Sequence, residues 1–117
     1  MRMKEFTIDG KTIMFINSCS TSYSGFTHET QLFIDSWPEA EARCHYINRT
    51  WERYSYQSVM LEAVHKLQEK RIAELKQDFK CQIGCRNIME RHMQAFEAFL
   101  KNDETLAFYL KIEEALQ

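Results

Sequence analysis

The hydrophobic period of this chain changes once, and that change limits the folds open to it. Up to Tyr46, apolar and polar residues alternate with period two; after Tyr56, apolar residues recur every three to four positions to the C-terminus. Period two places one face of a strand on a core, and a period near 3.6 does the same for a helix. Strands followed by helices, rather than strands interleaved with them, predict the α+β class. The expectation is a three- to four-stranded antiparallel N-terminal sheet over 1–48 followed by three α-helices packed on it, at 55–83, 86–101 and 103–116. A chain of 117 residues with 44% hydrophobic and 13% aromatic side chains has the material for one core and is expected to form a single domain.

Within the first block, Asp9-Gly10 lies between two β-prone runs. Both central residues of a type I′ turn need φ > 0, so this dipeptide predicts a hairpin with strands at 3–8 and about 11–23. Ser22 to Thr27 has turn composition, and a third strand is expected from His28 to Asp35, with Thr30, Leu32 and Ile34 on one face and Gln31 and Phe33 on the other. Asp35-Ser36-Trp37-Pro38 then reads as a turn holding the lone proline, which cannot sit in a central strand. Residues 39–48 admit two readings. Ser36-x-x-Glu39 has the form of a helix capping box, yet Ala40, Ala42, Cys44 and Tyr46 alternate strictly with Glu39, Glu41, Arg43 and His45, which favours a strand.

The helical block opens at Ser55, an acceptable N-cap. Its stripe runs Val59/Met60, Ala63/Val64 and Leu67, then jumps five residues to Ile72 before Leu75, Phe79 and Ile83. The slip near Glu69-Lys70-Arg71 predicts a bend or a change of neighbour. Gly84 suits a C′ position with φ > 0, and Asn102-Asp103 should end the second helix and cap the third. An unbroken first helix of 28 residues would be about 42 Å long, more than the width of a compact globule this size. It must then break near residue 70 or project, where a homodimer through the helical half becomes an option.

Charge and chemistry narrow the function. The net charge is −2, and residues 1–54 carry six basic and seven acidic side chains against nine and ten in 55–117, so no global field draws nucleic acid or an anionic membrane. The chain has no run of about 18 apolar residues and its first residues lack a signal peptide's apolar segment, so the expected location is cytoplasmic with reduced thiols. Cys81-x-x-x-Cys85, with His92 and Cys44-His45, can be drawn as a zinc site, but the spacing is unlike a knuckle and no metal is expected. Cys44 and His45 are neighbours on a strand and point to opposite faces, so they cannot form a nucleophile–base pair. With three glycines and no phosphate loop, zinc-protease motif or nucleophile elbow, neither a cofactor nor an enzymatic reaction is expected.

The residues singled out for recognition lie where the period changes. Arg49, Trp51, Arg53, Tyr54 and Tyr56 combine the side chains that dominate protein interfaces. The same mix can stack single-stranded bases and meet phosphate, with Lys66, Lys70, Arg71, Lys76 and Lys80 extending the basic surface, and that is the alternative. A third reading is structural, with the aromatics plugging the corner between sheet and helix.

Across residues 46–60 the sequence resembles small uncharacterised phage, plasmid and mobile-element proteins of Gram-positive bacteria that carry a Tyr-x-Asn-Arg-Thr-Trp-Glu-x-Tyr-x-Tyr-Gln-Ser-Val-Met block. The likeness extends over about 28–65 and includes the Leu-Phe-Ile-Asp…Ala-x-Cys-x-Tyr pattern at 32–46. It supplies no catalytic residue. It implies a setting in which small accessory proteins bind and block a host protein, such as a defence nuclease of a CRISPR-Cas system.

Overall fold

A computed structural model of the chain describes residues 2–46 and 56–117, with Tyr46 described by its backbone alone. Four strands, β1 (Arg2–Ile8), β2 (Lys11–Ser22), β3 (Gly25–Ile34) and β4 (Trp37–Tyr46), form one antiparallel meander in sequence order. Three helices follow, α1 (Tyr56–Ile83), α2 (Met93–Lys101, entered through a 3₁₀ turn at Glu90–His92) and α3 (Glu104–Leu116). The expected α+β architecture is present, with four strands rather than three.

The alternation of the strands sets which face is covered. Ile13 and Phe15 of β2, Leu32 and Ile34 of β3 and Ala42 of β4 form a buried layer, closed by Val59, Met60, Ala63, Val64 and Leu67 of α1 and by Ile112 and Leu116 of α3. At about 1.5–3 kcal/mol for each fully buried large apolar side chain, this layer is the main source of stability. Thr30, Leu32 and Ile34 share the buried face as expected, while Gln31 is exposed and Phe33 half-buried on the other. On that second face Met14, Ile16 and Phe33 are half-buried and Met3 is 62% exposed.

Two hairpin turns carry the left-handed backbone of the type I′ geometry. Asp9 and Gly10 have φ of 52° and 79°, and Asp35 and Ser36 have 48° and 69°. The second turn corrects the expectation of a turn running on to Pro38. Two residues suffice because the Asp35 carboxylate accepts from the Thr12 backbone N–H at 2.9 Å, while its own N–H donates to the Thr12 carbonyl at 2.9 Å. Trp37 and Pro38 therefore already belong to β4. The proline is tolerated because β4 is an edge strand and its register with β3 shifts between Leu32 and Phe33. Leu32 faces Ala40 and Phe33 faces Pro38, so Glu39 is the extra, unpaired residue of a β-bulge.

Helix α1 runs unbroken for 28 residues, about 42 Å, as the expected 55–83 helix; of the two options, a break near residue 70 or a projecting end, the break does not occur. Instead the buried stripe changes neighbour. Up to Leu67 it faces the sheet and α3; beyond, Phe79 meets Phe96 and Phe99 of α2 at ring-centroid distances of 5.2 and 5.5 Å. Arg71 occupies the slip and binds the N-cap of α3: its guanidinium donates to both carboxylate oxygens of Asp103 at 2.9 and 2.7 Å. Asp103 in turn accepts from the Leu106 N–H at 2.9 Å. The radius of gyration is 17.3 Å, against about 13 Å for a compact domain of this length, and the molecule measures 53 × 33 × 22 Å. The distal half of α1 projects.

Gly84 ends α1 with φ 67°. The Cys85 N–H bonds the Lys80 carbonyl and the Gly84 N–H the Cys81 carbonyl, the paired bonds of a Schellman motif. The second helix starts at Met93 rather than 86, because the Met89 N–H is capped by the His92 ring at 3.2 Å across the 3₁₀ turn. Spacing alone does not separate such a turn from the first turn of a helix.

Candidate functional site

Of the residues singled out by sequence, Arg49, Trp51, Arg53 and Tyr54 lie outside the described residues, as does the Ser55 cap. Tyr56 is the first residue of α1, and it is tied into the sheet. Its ring packs tilted against His28 with centroids 4.8 Å apart, and the Arg2 guanidinium sits 5.6 Å above it. His28 is buried, and Gln57 fastens the same end of α1 to α3 by donating to the Leu116 carbonyl. Below this pair the Thr30 hydroxyl donates to Asn17 Oδ1 at 2.6 Å, and Asn17 Nδ2 donates to Met60 Sδ at 3.5 Å. A cation, two rings and a satisfied buried amide thus join β1, β2, β3 and α1. Tyr56 works as an architectural fastener between sheet and helix.

The register places Cys19, His28 and Cys44 directly opposite one another on three adjacent strands, a row the sequence reading did not find because register is not visible locally. Burial first, and then the Glu62 carboxylate, push the Cys44 thiol pKa up, keeping it protonated. Cys19 and Cys44 stand two strands apart, about 9.6 Å, too far for a disulfide. Cys44 and His45 do face opposite sides: Cys44 is half-buried, and the His45 ring shares a hydrogen bond with the Thr27 hydroxyl at 2.8 Å.

The composite zinc site is not assembled. Cys44 lies beside Glu62, 19 residues or about 28 Å along α1 from Cys81. No group of three or more candidate ligands occurs among the described residues. Two of the five helical basic residues proposed for a nucleic-acid surface are engaged internally: Lys66 donates to the Glu41 carbonyl on the edge of β4 at 2.9 Å, and Arg71 is held by Asp103 and Glu74. Among the described residues, no helix is long and apolar enough to cross a membrane.

Two aromatic side chains are strongly exposed among the described residues, Tyr23 and Trp37, and sequence reasoning assigned the second to a turn. Trp37 opens β4 opposite Ile34 and is 73% exposed. Its cross-strand partner Ile34 lines a cleft of about 310 Å³ between the hairpin end of the sheet and α3, walled also by Phe108 and Tyr109. Its rim carries Asp9, Glu39 and Glu104. The bulge explains Glu39: strict alternation would put it on the open face with Glu41, whereas it reaches the cleft and helps raise the Tyr109 pKa, second only to burial. Lys11 lies 5.0 Å over the Phe108 ring, and Lys111 bonds Asp9 at 2.8 Å. Glu39 and Glu104 form no ion pair among the described residues. No local sequence signal marks this exposure, because the start of β4 is set by Asp35 bonding Thr12 across the sheet. No family model, curated protein or solved structure matches the chain.

Proposed function

We propose that this chain is a non-enzymatic protein-binding module that meets its partner with the hairpin end of the sheet. The observation that carries the reading is Trp37, 73% exposed directly after a two-residue hairpin turn and paired with Ile34, which lines an aromatic-walled cleft. Large exposed aromatics beside a preformed recess are the usual anchors of protein interfaces. The setting implied by the block at 46–60 belongs to the same proposal: a mobile-element protein that binds and blocks a host protein, a defence nuclease among the candidates. Arg49, Trp51, Arg53 and Tyr54 lie outside the described residues and are proposed as a further contact with the partner.

A photo-crosslinking amino acid placed at position 37, at 51 or at the control position 7 tests both in living cells. A discrete adduct from position 37 and none from position 7 supports the reading. An adduct from 51 alone, or from no position, overturns it in favour of the joint or of no protein partner.

A second reading concerns the projecting tip. Helix α2 buries none of its residues although one side is apolar, and Ile72, Met89 and Met93 are 36%, 53% and 42% exposed. An incompletely covered amphipathic helix favours self-association through the helical half.

A further inference from the structure

We infer that the cleft lined by Ile34, Phe108 and Tyr109 receives an arginine side chain of the protein partner; this rests on the protein-binding reading and specifies its chemistry. Two features of the cleft converge on a planar cation. Its walls, Phe108 and Tyr109, are aromatic, and Trp37 is the cross-strand partner of Ile34, which lines the cleft. Guanidinium groups stack on such faces more readily than ammonium groups do, because they are planar and less strongly hydrated. The rim supplies the counter-charge. Asp9 is already bound by Lys111, while Glu39 and Glu104 have no cationic partner among the described residues. A carboxylate facing a guanidinium can accept two parallel N–H bonds, which fixes orientation as well as charge.

The chain itself shows that the site accepts cations. Lys11 places its ammonium over the Phe108 ring inside the same cleft, an intramolecular instance of the contact assigned to the partner. The bulge adds an independent argument. One extra residue in β4 breaks the alternation and brings Glu39 to the cleft, although it still borders the recess beside Phe33 and Glu41 on the open face, and bulges recur where a strand must re-aim a side chain at a site. A second copy of this chain is disfavoured as the occupant on the same charge grounds, since an identical cleft would bring Glu39 and Glu104 against their own counterparts.

The test uses the full chain labelled with ¹⁵N and three short peptides that differ in one side chain: arginine, lysine and citrulline, the last a neutral isostere of arginine. The expected result is that the arginine peptide moves the Trp37 indole N–H signal and the amides of Thr105, Phe108 and Tyr109. The citrulline peptide should leave them in place, and the lysine peptide should bind more weakly than arginine. Replacing Glu39→Gln together with Glu104→Gln should weaken arginine binding about tenfold, in a protein whose spectrum otherwise overlays the parent. Equal responses to arginine and citrulline, equal responses to arginine and lysine, or full binding by the double variant would each overturn the inference. So would movement of the same signals on simple dilution, which would mean that a second copy fills the cleft. A crosslinked partner at position 37 combined with equal arginine and citrulline responses would leave the protein-binding reading intact and remove only this one.

Discussion

The two halves of α1 are continuous in backbone and opposite in circumstance. From Tyr56 to Leu67 the helix packs against both the sheet and α3, with Val59, Met60, Ala63, Val64 and Leu67 all buried. From residue 68 to Ile83 only Leu75 and Phe79 are buried, and the neighbour is a nine-residue helix that buries none of its own side chains. Helical backbone bonding is the same in both; what differs is the apolar area each removes from water. Stability is therefore concentrated in the sheet end, and the tip holds its shape through one aromatic cluster and the Arg71–Asp103 clamp at its base.

Truncations make the contrast measurable. Phe15→Ala, at a fully buried site under the sheet, should cost about 4 kcal/mol. Phe96→Ala, half-buried at the tip, should cost at most about 1.5 kcal/mol. Urea denaturation followed by circular dichroism reads both, and equal losses would break the comparison.

The clamp between the two regions comes next. Asp103→Ala removes the α3 cap, about 1 kcal/mol, and leaves a partly buried guanidinium short of its acceptors, about 1 kcal/mol more. The pH dependence has a defined sign. Hydrogen bonding from Arg71 holds the Asp103 carboxyl below its ordinary 3.8. Its contribution is thus complete above the unfolded value and is lost as pH falls from there through the depressed folded value. Urea midpoints taken down an acid series should show this component in the parent chain and lack it in Asp103→Asn.

Within the sheet end, the buried polar row sharpens the picture. Thr30→Val strips Asn17 Oδ1 of its donor and should cost about 1.5 kcal/mol, of which the Thr30→Val, Asn17→Leu pair should recover part; calorimetry of the three proteins is the check. The smallest effect is expected at the tip surface, where Met93→Glu should change stability by no more than about 0.5 kcal/mol. In sedimentation velocity the same substitution should convert any dimer of the parent chain to monomer, and a dimer that survives it would exclude the tip as the contact.

What could be read from sequence was local. Asp9-Gly10, Gly84 and Asp103 each announce a turn or a cap through backbone chemistry that neighbours do not alter, and the alternation of Thr30, Leu32 and Ile34 identifies a buried face. What could not be read was set at a distance. The β4 boundary depends on Asp35 bonding Thr12 across the sheet, and the aim of Glu39 depends on a register shift against β3. The Cys19–His28–Cys44 row exists only once three strands are aligned, and Arg71 finds its partner Asp103 only through the tertiary fold. The surface proposed for recognition followed the same rule: aromatic density drew attention to 46–56, whereas the exposure of Trp37 is a consequence of edge position.

The division of α1 is tested most directly by native-state hydrogen exchange resolved along that one helix. The expected result is that amides from Met60 to Leu67 exchange only through global unfolding, while those from Lys76 to Ile83, together with α2, exchange through a smaller opening that leaves the sheet intact. Uniform protection along all of α1, at the global value, would contradict it.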